Sequence, residues 1–250
     1  MPLSRIVIAK VAKRYGYERA VANVSMELRA GSACALLGHN GAGKTTLLAM
    51  LSTLVTPTSG TITYYRGEQA AKADNQLRGA IGLLAHASLC YGDLSANENL
   101  ELFARLYGIA DAAPKIQGLL DEVGLDPKAR TRIAKTYSRG MMQRLALARA
   151  LLPEPSLVLL DEPFTGLDRG GAMALGTTIG KLKARGAMLV IVTHDLEAIG
   201  GIADHVAVLR RGALVHEARC ADTHQGFDYA QLKDAYHQYG ERERSKELAS

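Results

Sequence analysis

The stretch from Ser32 to Leu54 decides the fold. It opens with Ser32-Ala33-Cys34-Ala35-Leu36-Leu37, continues through Gly38-His39-Asn40-Gly41-Ala42-Gly43-Lys44-Thr45, and ends on Thr46-Leu47-Leu48-Ala49-Met50-Leu51-Ser52-Thr53-Leu54. The first part is a short continuous apolar run, which suits a strand buried on both faces. The last part reads as a helix. The eight residues between them fit G-x-x-x-x-G-K-[ST] in full. Each residue type has a physical task. Glycines let backbone N–H groups turn inward and come close to phosphates. A helix starting near Lys44 points the positive end of its dipole at the same place. Lys44 reaches the β- and γ-phosphates, and the Thr45 hydroxyl ligates Mg²⁺. A chance glycine-rich turn would lack the strand before it and the helix after it. Both are present, so the expected ligands are the phosphates of a bound molecule and Mg²⁺.

Working outward, the chain has 250 residues, 48% hydrophobic and 22% charged, with a net charge of +5. That length accommodates one domain, or one core with an inserted lobe. Normal apolar content argues against disorder. No apolar run approaches the roughly 18 residues that cross a bilayer. The N-terminus carries charges every few residues and shows no signal-peptide core. Three cysteines are not a disulfide framework and fit a reducing compartment. With no Trp and three Phe, aromatic stacking on nucleic acid is not the theme. Position says more about the charge than its total does. Residues 128–149 hold Lys128, Arg130, Arg132, Lys135, Arg139, Arg144 and Arg149 without an acid, whereas 150–168 hold Glu154, Asp161, Glu162 and Asp168 without a base.

Residues 3–30 alternate in the manner of two antiparallel strands. Short strands are expected at 61–65 and 80–85. From about 95 the spacing becomes helical, with Asp93 or Ser95 as a cap and Gly108 and Gly124 as terminators. A helix is expected over Ser138–Leu152. Leu157–Glu162 and Met188–Asp195 read as buried strands, and 206–218 as a hairpin about Arg211-Gly212. Apolar strands separated by helices predict a parallel α/β sheet with an antiparallel edge. The tail from Asp222 is polar, with Tyr229, Leu232, Ala235, Tyr236 and Tyr239 as a helical packing stripe. Its last residues are expected to fray into solvent.

Leu157-Val158-Leu159-Leu160-Asp161-Glu162 ends an apolar strand in two carboxylates. Ligands of parallel sheets bind at the carboxyl ends of strands. Asp161 is therefore expected to hold Mg²⁺ opposite Thr45. Glu162, one residue further out, is placed to polarise a water for attack on the γ-phosphate. An apolar run ending in Asp-Glu is a weak signal by itself; beside a phosphate loop it is strong.

Together these strings resemble the ATP-binding subunit of ATP-binding cassette (ABC) transporters, over about residues 3–220. The phosphate loop and the acidic strand look like Walker A and Walker B. Tyr137-Ser138-Arg139-Gly140-Met141 resembles the signature usually written LSGGQ, with Ser138 and Gly140 matching and three positions departing. Asp168 in Thr165-Gly166-Leu167-Asp168 matches the D-loop, and His194 matches the switch histidine. Tyr15 falls where the family places an aromatic residue on adenine, and Thr46 follows the Mg²⁺-binding hydroxyl. The resemblance implies an α/β P-loop NTPase with a RecA-like core over 1–86 and 151–221 and a helical insert over about 87–150; the helical tail over 222–250 follows from its own spacing. It also implies a head-to-tail dimer with a second copy, in which the Ser138 hydroxyl and its helix N-terminus complete the partner's phosphate site. Integral membrane permease subunits are the implied partners, nucleic acid is not, and the location is the cytoplasmic face of the membrane.

His86 is the departure that bears most on cargo. The family usually has Gln after the strand Ile81-Gly82-Leu83-Leu84, sensing Mg²⁺ and leading into the loop that touches the permease. An imidazole there keeps hydrogen-bonding capacity and adds a titratable group. Histidine at this place, with the strings around 38–48, 138–152 and 158–168, is similar to the haem-exporter branch of the cytochrome c maturation protein A type. The alternative is a generic ABC-2-type exporter of a drug, lipid or polysaccharide. From another class comes a soluble nucleic-acid- or ribosome-associated cassette protein, against which a single cassette without a coiled-coil insert stands. Arg144 and Arg149 read as a solvated helix face or ion pairs, and Cys34 as a small core residue. His216, Cys220 and His224 invite a metal or haem reading, but a hairpin would not align them.

Overall fold

The computed structural model describes residues 1–221 and 225–240. Two sheets organise them. The first is antiparallel, built from β1 (Arg5–Tyr15), β2 (Glu18–Arg29), β4 (Ser59–Arg66) and β5 (Gln69–Ala70) in the order β2-β1-β4-β5. The second is six-stranded and runs β10 (Ala213–Arg219), β9 (His205–Arg210), β3 (Ala33–Leu37), β8 (Met188–Val192), β7 (Leu157–Asp161), β6 (Ile81–Leu84). Its strands are parallel except for the antiparallel pair β9–β10. That pair turns on Arg211 and Gly212, at φ 49° and 79°. Positive φ at both central residues is what a tight two-residue hairpin turn requires.

The apolar runs of β3, β7 and β8 are buried at every position, because both faces of the sheet are covered. The two-residue alternation assigns each side chain to one face. Cys34, Leu36, Leu157, Leu159, Met188 and Val190 pack with Ile6, Ile8 and Val11 of the antiparallel sheet and with Leu47, Leu48 and Leu51 of α1 (Lys44–Leu51). Ala33, Ala35, Leu37, Val158, Leu160, Leu189 and Ile191 face helices on the other side.

A short α2 (Asn75–Gly79) leads into β6. Three helices then intervene before β7: α3 (Ala96–Leu106), α4 (Ala113–Glu122) and α5 (Arg139–Leu151). Ser95, rather than Asp93, caps α3 in a reciprocal box with Glu98, which satisfies donors the first helical turn cannot pair internally. Gly108 and Gly124 follow α3 and α4 with φ of 69° and 70°, the left-handed conformation in which helices commonly end. The chain closes with α6 (Arg169–Ala184), α7 (Leu196–Ile199) and α8 (Tyr229–Ala235), the last continuing into a π turn at Tyr236–Gly240.

The basic run is dispersed rather than aligned. Arg130 is buried and pairs with Asp121 at 2.5 Å, and Lys135 pairs with Asp93 at 2.7 Å. Arg149 does not lie on a solvated face. It is buried, donates to the Leu83 carbonyl at 2.7 Å and sits 5.4 Å from the Phe103 ring centre. In the tail, Leu232 is buried and Ala235, Tyr236 and Tyr239 pack on the core, but Tyr229 is exposed. Helical side chains lean towards the preceding turn, and Tyr229 opens its helix with no turn beneath it. Asp222, His224 and residues 241–250 lie outside the described residues, so the fraying expected of the last segment falls there. Among the described residues, no helix is long and apolar enough to cross a membrane.

Candidate active site

The carboxyl ends of β3 and β7 and the start of α1 open onto one cleft of about 660 Å³, within the range of small-molecule sites. Between β3 and α1, Gly38 and Gly43 take φ of 142° and 100°. Neither has space for a side chain: a Cβ on Gly38 would lie 2.2 Å from the Leu209 carbonyl oxygen, and one on Gly43 2.3 Å from that of Ala20. Lys44 is buried and folds back over the loop, donating to the carbonyls of Gly38 at 2.6 Å and His39 at 2.8 Å. Burial lowers its pKa, and the carboxylates of Glu162 and Asp161 oppose that shift. A cation held in this way is poised for an anionic ligand.

Thr45 Oγ1 donates to Asp161 Oδ2 at 3.0 Å, bridging α1 and the end of β7. Two hard oxygen donors thus converge at the floor of the cleft. This donor set fits Mg²⁺, which is usually held by one or two protein groups together with phosphate oxygens and water. Glu162 adopts φ 52°, an uncommon conformation for a residue with a Cβ and one that clusters at active sites. It is held there from several sides. Its N–H donates to the Val192 carbonyl at 2.8 Å, and Gln143 Nε2 donates to the carbonyls of Glu162 and Pro163 at 3.3 and 3.1 Å. Its carboxylate faces His194, with Oε1 3.2 Å from Nε2 and Oε2 accepting from the His194 N–H at 3.3 Å.

The cleft therefore gathers Asn40, Gly41, Gly43, Lys44, Thr45, Thr46, His86, Asp161, Glu162 and His194, which the sequence singles out, and adds Glu18, Ala20, Arg139, Thr193 and Asp195. The other expected residues lie around it. Gly38 and Ala42 form the buried underside of the loop, and His39 and Ala42 border a separate cavity of about 170 Å³ behind it. Ser138 caps α5 by accepting from the Met141 N–H at 3.3 Å. It lines an adjoining cavity of about 300 Å³ that shares His86, Arg139, Asp161 and Glu162 with the main cleft. Gly140 faces the Gly166 carbonyl, and Asp168 caps α6 through the Gly171 N–H at 2.8 Å. Tyr15 is exposed at the end of β1, with Lys13 5.2 Å from its ring centre, and the cleft wall nearest in sequence is Glu18 and Ala20.

Gln143 is the functional neighbour that sequence reasoning passed over. It lies two residues after the signature string, yet its reach to the Glu162 backbone depends on where the fold seats α5 relative to the end of β7, which no local pattern encodes. His216 stacks on Tyr239 with ring centres 4.0 Å apart. Among the described residues, no group of three His, Cys, Asp or Glu side chains is placed to hold a metal.

A phosphate loop opening a helix, a carboxylate pair at the carboxyl end of β7 two strands away in the same sheet, and a helical block between the two in sequence define a nucleotide-hydrolysing cassette. The ABC transporter family matches residues 21–165. The chain is 38% identical over 224 residues to the ABC transporter ATP-binding protein YcbN of Bacillus subtilis, covering 89% of this chain and 72% of the relative. It is 37% identical to the bacitracin transport ATP-binding protein BcrA of Bacillus licheniformis, covering 83% and 67%, and 35% identical to the Nod factor export ATP-binding protein I of Burkholderia lata, covering 87% and 71%. Among solved structures, an ATP-binding subunit of an ABC transporter superposes with a TM-score of 0.78 at 26% identity over 98% of both chains. A dimeric ATP-binding cassette bound to ADP and Pi gives 0.77 at 25% identity over 89% of this chain and all of the other. The chain belongs to the ABC transporter family as an ATP-binding subunit, and its activity is ATP hydrolysis coupled to transport. The haem-exporter expectation finds no support in these relatives, whose named cargoes are bacitracin and Nod factor.

Proposed function

We propose that the chain powers an ABC-2-type exporter of a drug, lipid or polysaccharide, as a peripheral subunit on the cytoplasmic face of a membrane permease. The observation carrying the cargo class is the similarity to bacitracin and Nod factor transport subunits over more than four-fifths of the chain. Haem export rested on His86 and local strings, and one residue in a cleft cannot name a cargo that other subunits bind.

In the proposed mechanism the loop from Gly38 to Thr45 wraps the phosphates of ATP, and Lys44 offsets their charge. Thr45 and Asp161 would hold Mg²⁺, which would supply charge neutralisation to the phosphates. Glu162 orients a water and takes its proton as the water oxygen bonds to the γ-phosphorus and the bond to the ADP oxygen breaks. His194 holds the Glu162 carboxylate in line, and His86 reaches the same space from the end of β6. Two copies close head to tail, with Ser138 and the start of α5 presented to the partner's nucleotide. Closure on ATP does the mechanical work, and hydrolysis and release reset it.

The cargo reading is tested by deleting the gene and scoring two phenotypes. Greater sensitivity to amphiphilic antibiotics with unchanged c-type cytochrome content is the expected result. Loss of c-type cytochromes with unchanged antibiotic sensitivity would restore haem as the cargo.

A further inference from the structure

The segment after β10 brings the turn at Tyr236–Gly240 against the phosphate loop. Tyr236 opens the π turn, and its hydroxyl lies 3.5 Å from His39 Nδ1, with the two ring centres 5.7 Å apart. These residues are 197 positions apart in sequence, so the contact is purely a product of the fold. The turn itself is anchored. Tyr239 stacks on His216 of β10 with an interplanar angle of 4°, and its carbonyl accepts from Arg210 at the end of β9 at 3.4 Å. A π turn is rare and recurs at functional sites; here ring stacking and the Arg210 bond hold it against the sheet edge.

His39 is the residue through which the loop can be gripped from outside. Its carbonyl is the inner anchor, accepting from Lys44 Nζ at 2.8 Å and from the Ala42 N–H at 3.0 Å. Its side chain points the other way and meets Tyr236. The β9–β10 turn adds a second outer hold, since the Gly212 N–H donates to the Ala42 carbonyl at 3.0 Å. The loop's inward N–H groups bind phosphate only in one backbone conformation, and fixing that conformation in advance lowers the ordering cost of binding.

We infer that Tyr236 is a positioning residue for ATP: acting through His39, it pre-sets the phosphate loop for nucleotide. This rests on the reading that the loop holds ATP. The test is the dissociation constant of MgATP for the wild-type chain, Tyr236→Phe, His39→Ala and the double variant, each with its thermal unfolding midpoint. Tyr236→Phe removes only a hydroxyl, so its fold is expected to stay intact. ATP affinity should weaken about three- to tenfold, the range of one neutral hydrogen bond. kcat at saturating ATP should hold within about twofold, as for a loss of uniform binding. The double variant should bind no more weakly than His39→Ala alone. Wild-type affinity in Tyr236→Phe overturns the inference, as do losses that multiply in the double variant, because the effect then does not run through His39. A wild-type chain that binds no nucleotide would refute the ATP reading instead.

Discussion

Lys44 is buried and, among the described residues, forms no ion pair with a carboxylate; its ammonium is bonded to two loop carbonyls. Such a group is costly to bury, and an anionic ligand offsets that cost. Lys44→Ala removes both the charge and the pin across the loop. ATP affinity should fall about ten- to a hundredfold, the range of a charge-assisted bond; titration calorimetry showing wild-type affinity would remove Lys44 from the site. At this scale the sequence was highly legible. Lys44, Thr45, Asp161 and Glu162 follow from motif and strand-end position and His194 from the family resemblance, and they meet in one cleft. Arg149 and Gln143 were misread or passed over because their partners, the Leu83 carbonyl on β6 and the Glu162 backbone just beyond β7, are far from them in sequence or reached only through the fold.

At the scale of elements, apolar runs identified the buried parallel strands and a cap-and-glycine pattern bounded the helices. The pairing order β10-β9-β3-β8-β7-β6 was not legible, since it depends on crossovers rather than on local pattern. One consequence of that order is His205 on β9, fully enclosed and 2.9 Å from Glu217 on β10. Burial lowers its pKa to about 4, Arg219 adds to the shift and Glu217 opposes it. The unfolded chain takes up a proton near the ordinary value of 6.5, while the folded chain resists it down to about 4. Between those values the unfolded state binds more protons, so stability rises with pH. The His205 contribution is thus complete above 6.5 and is lost as pH falls towards 4. Denaturant unfolding of His205→Gln against wild type checks this. The pH slope over that window should be shallower in the variant, and an unchanged slope would count against His205.

At the scale of the whole molecule, the adjoining cavities tie the nucleotide site to the start of α5. His86, Arg139, Asp161 and Glu162 line both, and Ser138 lies at the far side. A charge pattern that looked segregated along the chain is distributed in space, with Arg130 and Lys135 paired locally and Arg139 left at the cleft. The dimer was suggested by resemblance, since nothing in one chain's local pattern encodes a partner's surface. The central claim is that Glu162 drives hydrolysis in a site closed by a second copy. Light scattering of Glu162→Gln with MgATP, with turnover measured in parallel, tests it most directly. The account predicts a dimer of twice the chain mass that forms only with ATP, together with turnover reduced about a hundredfold or more. A monomer at saturating ATP, or turnover equal to wild type, would contradict it.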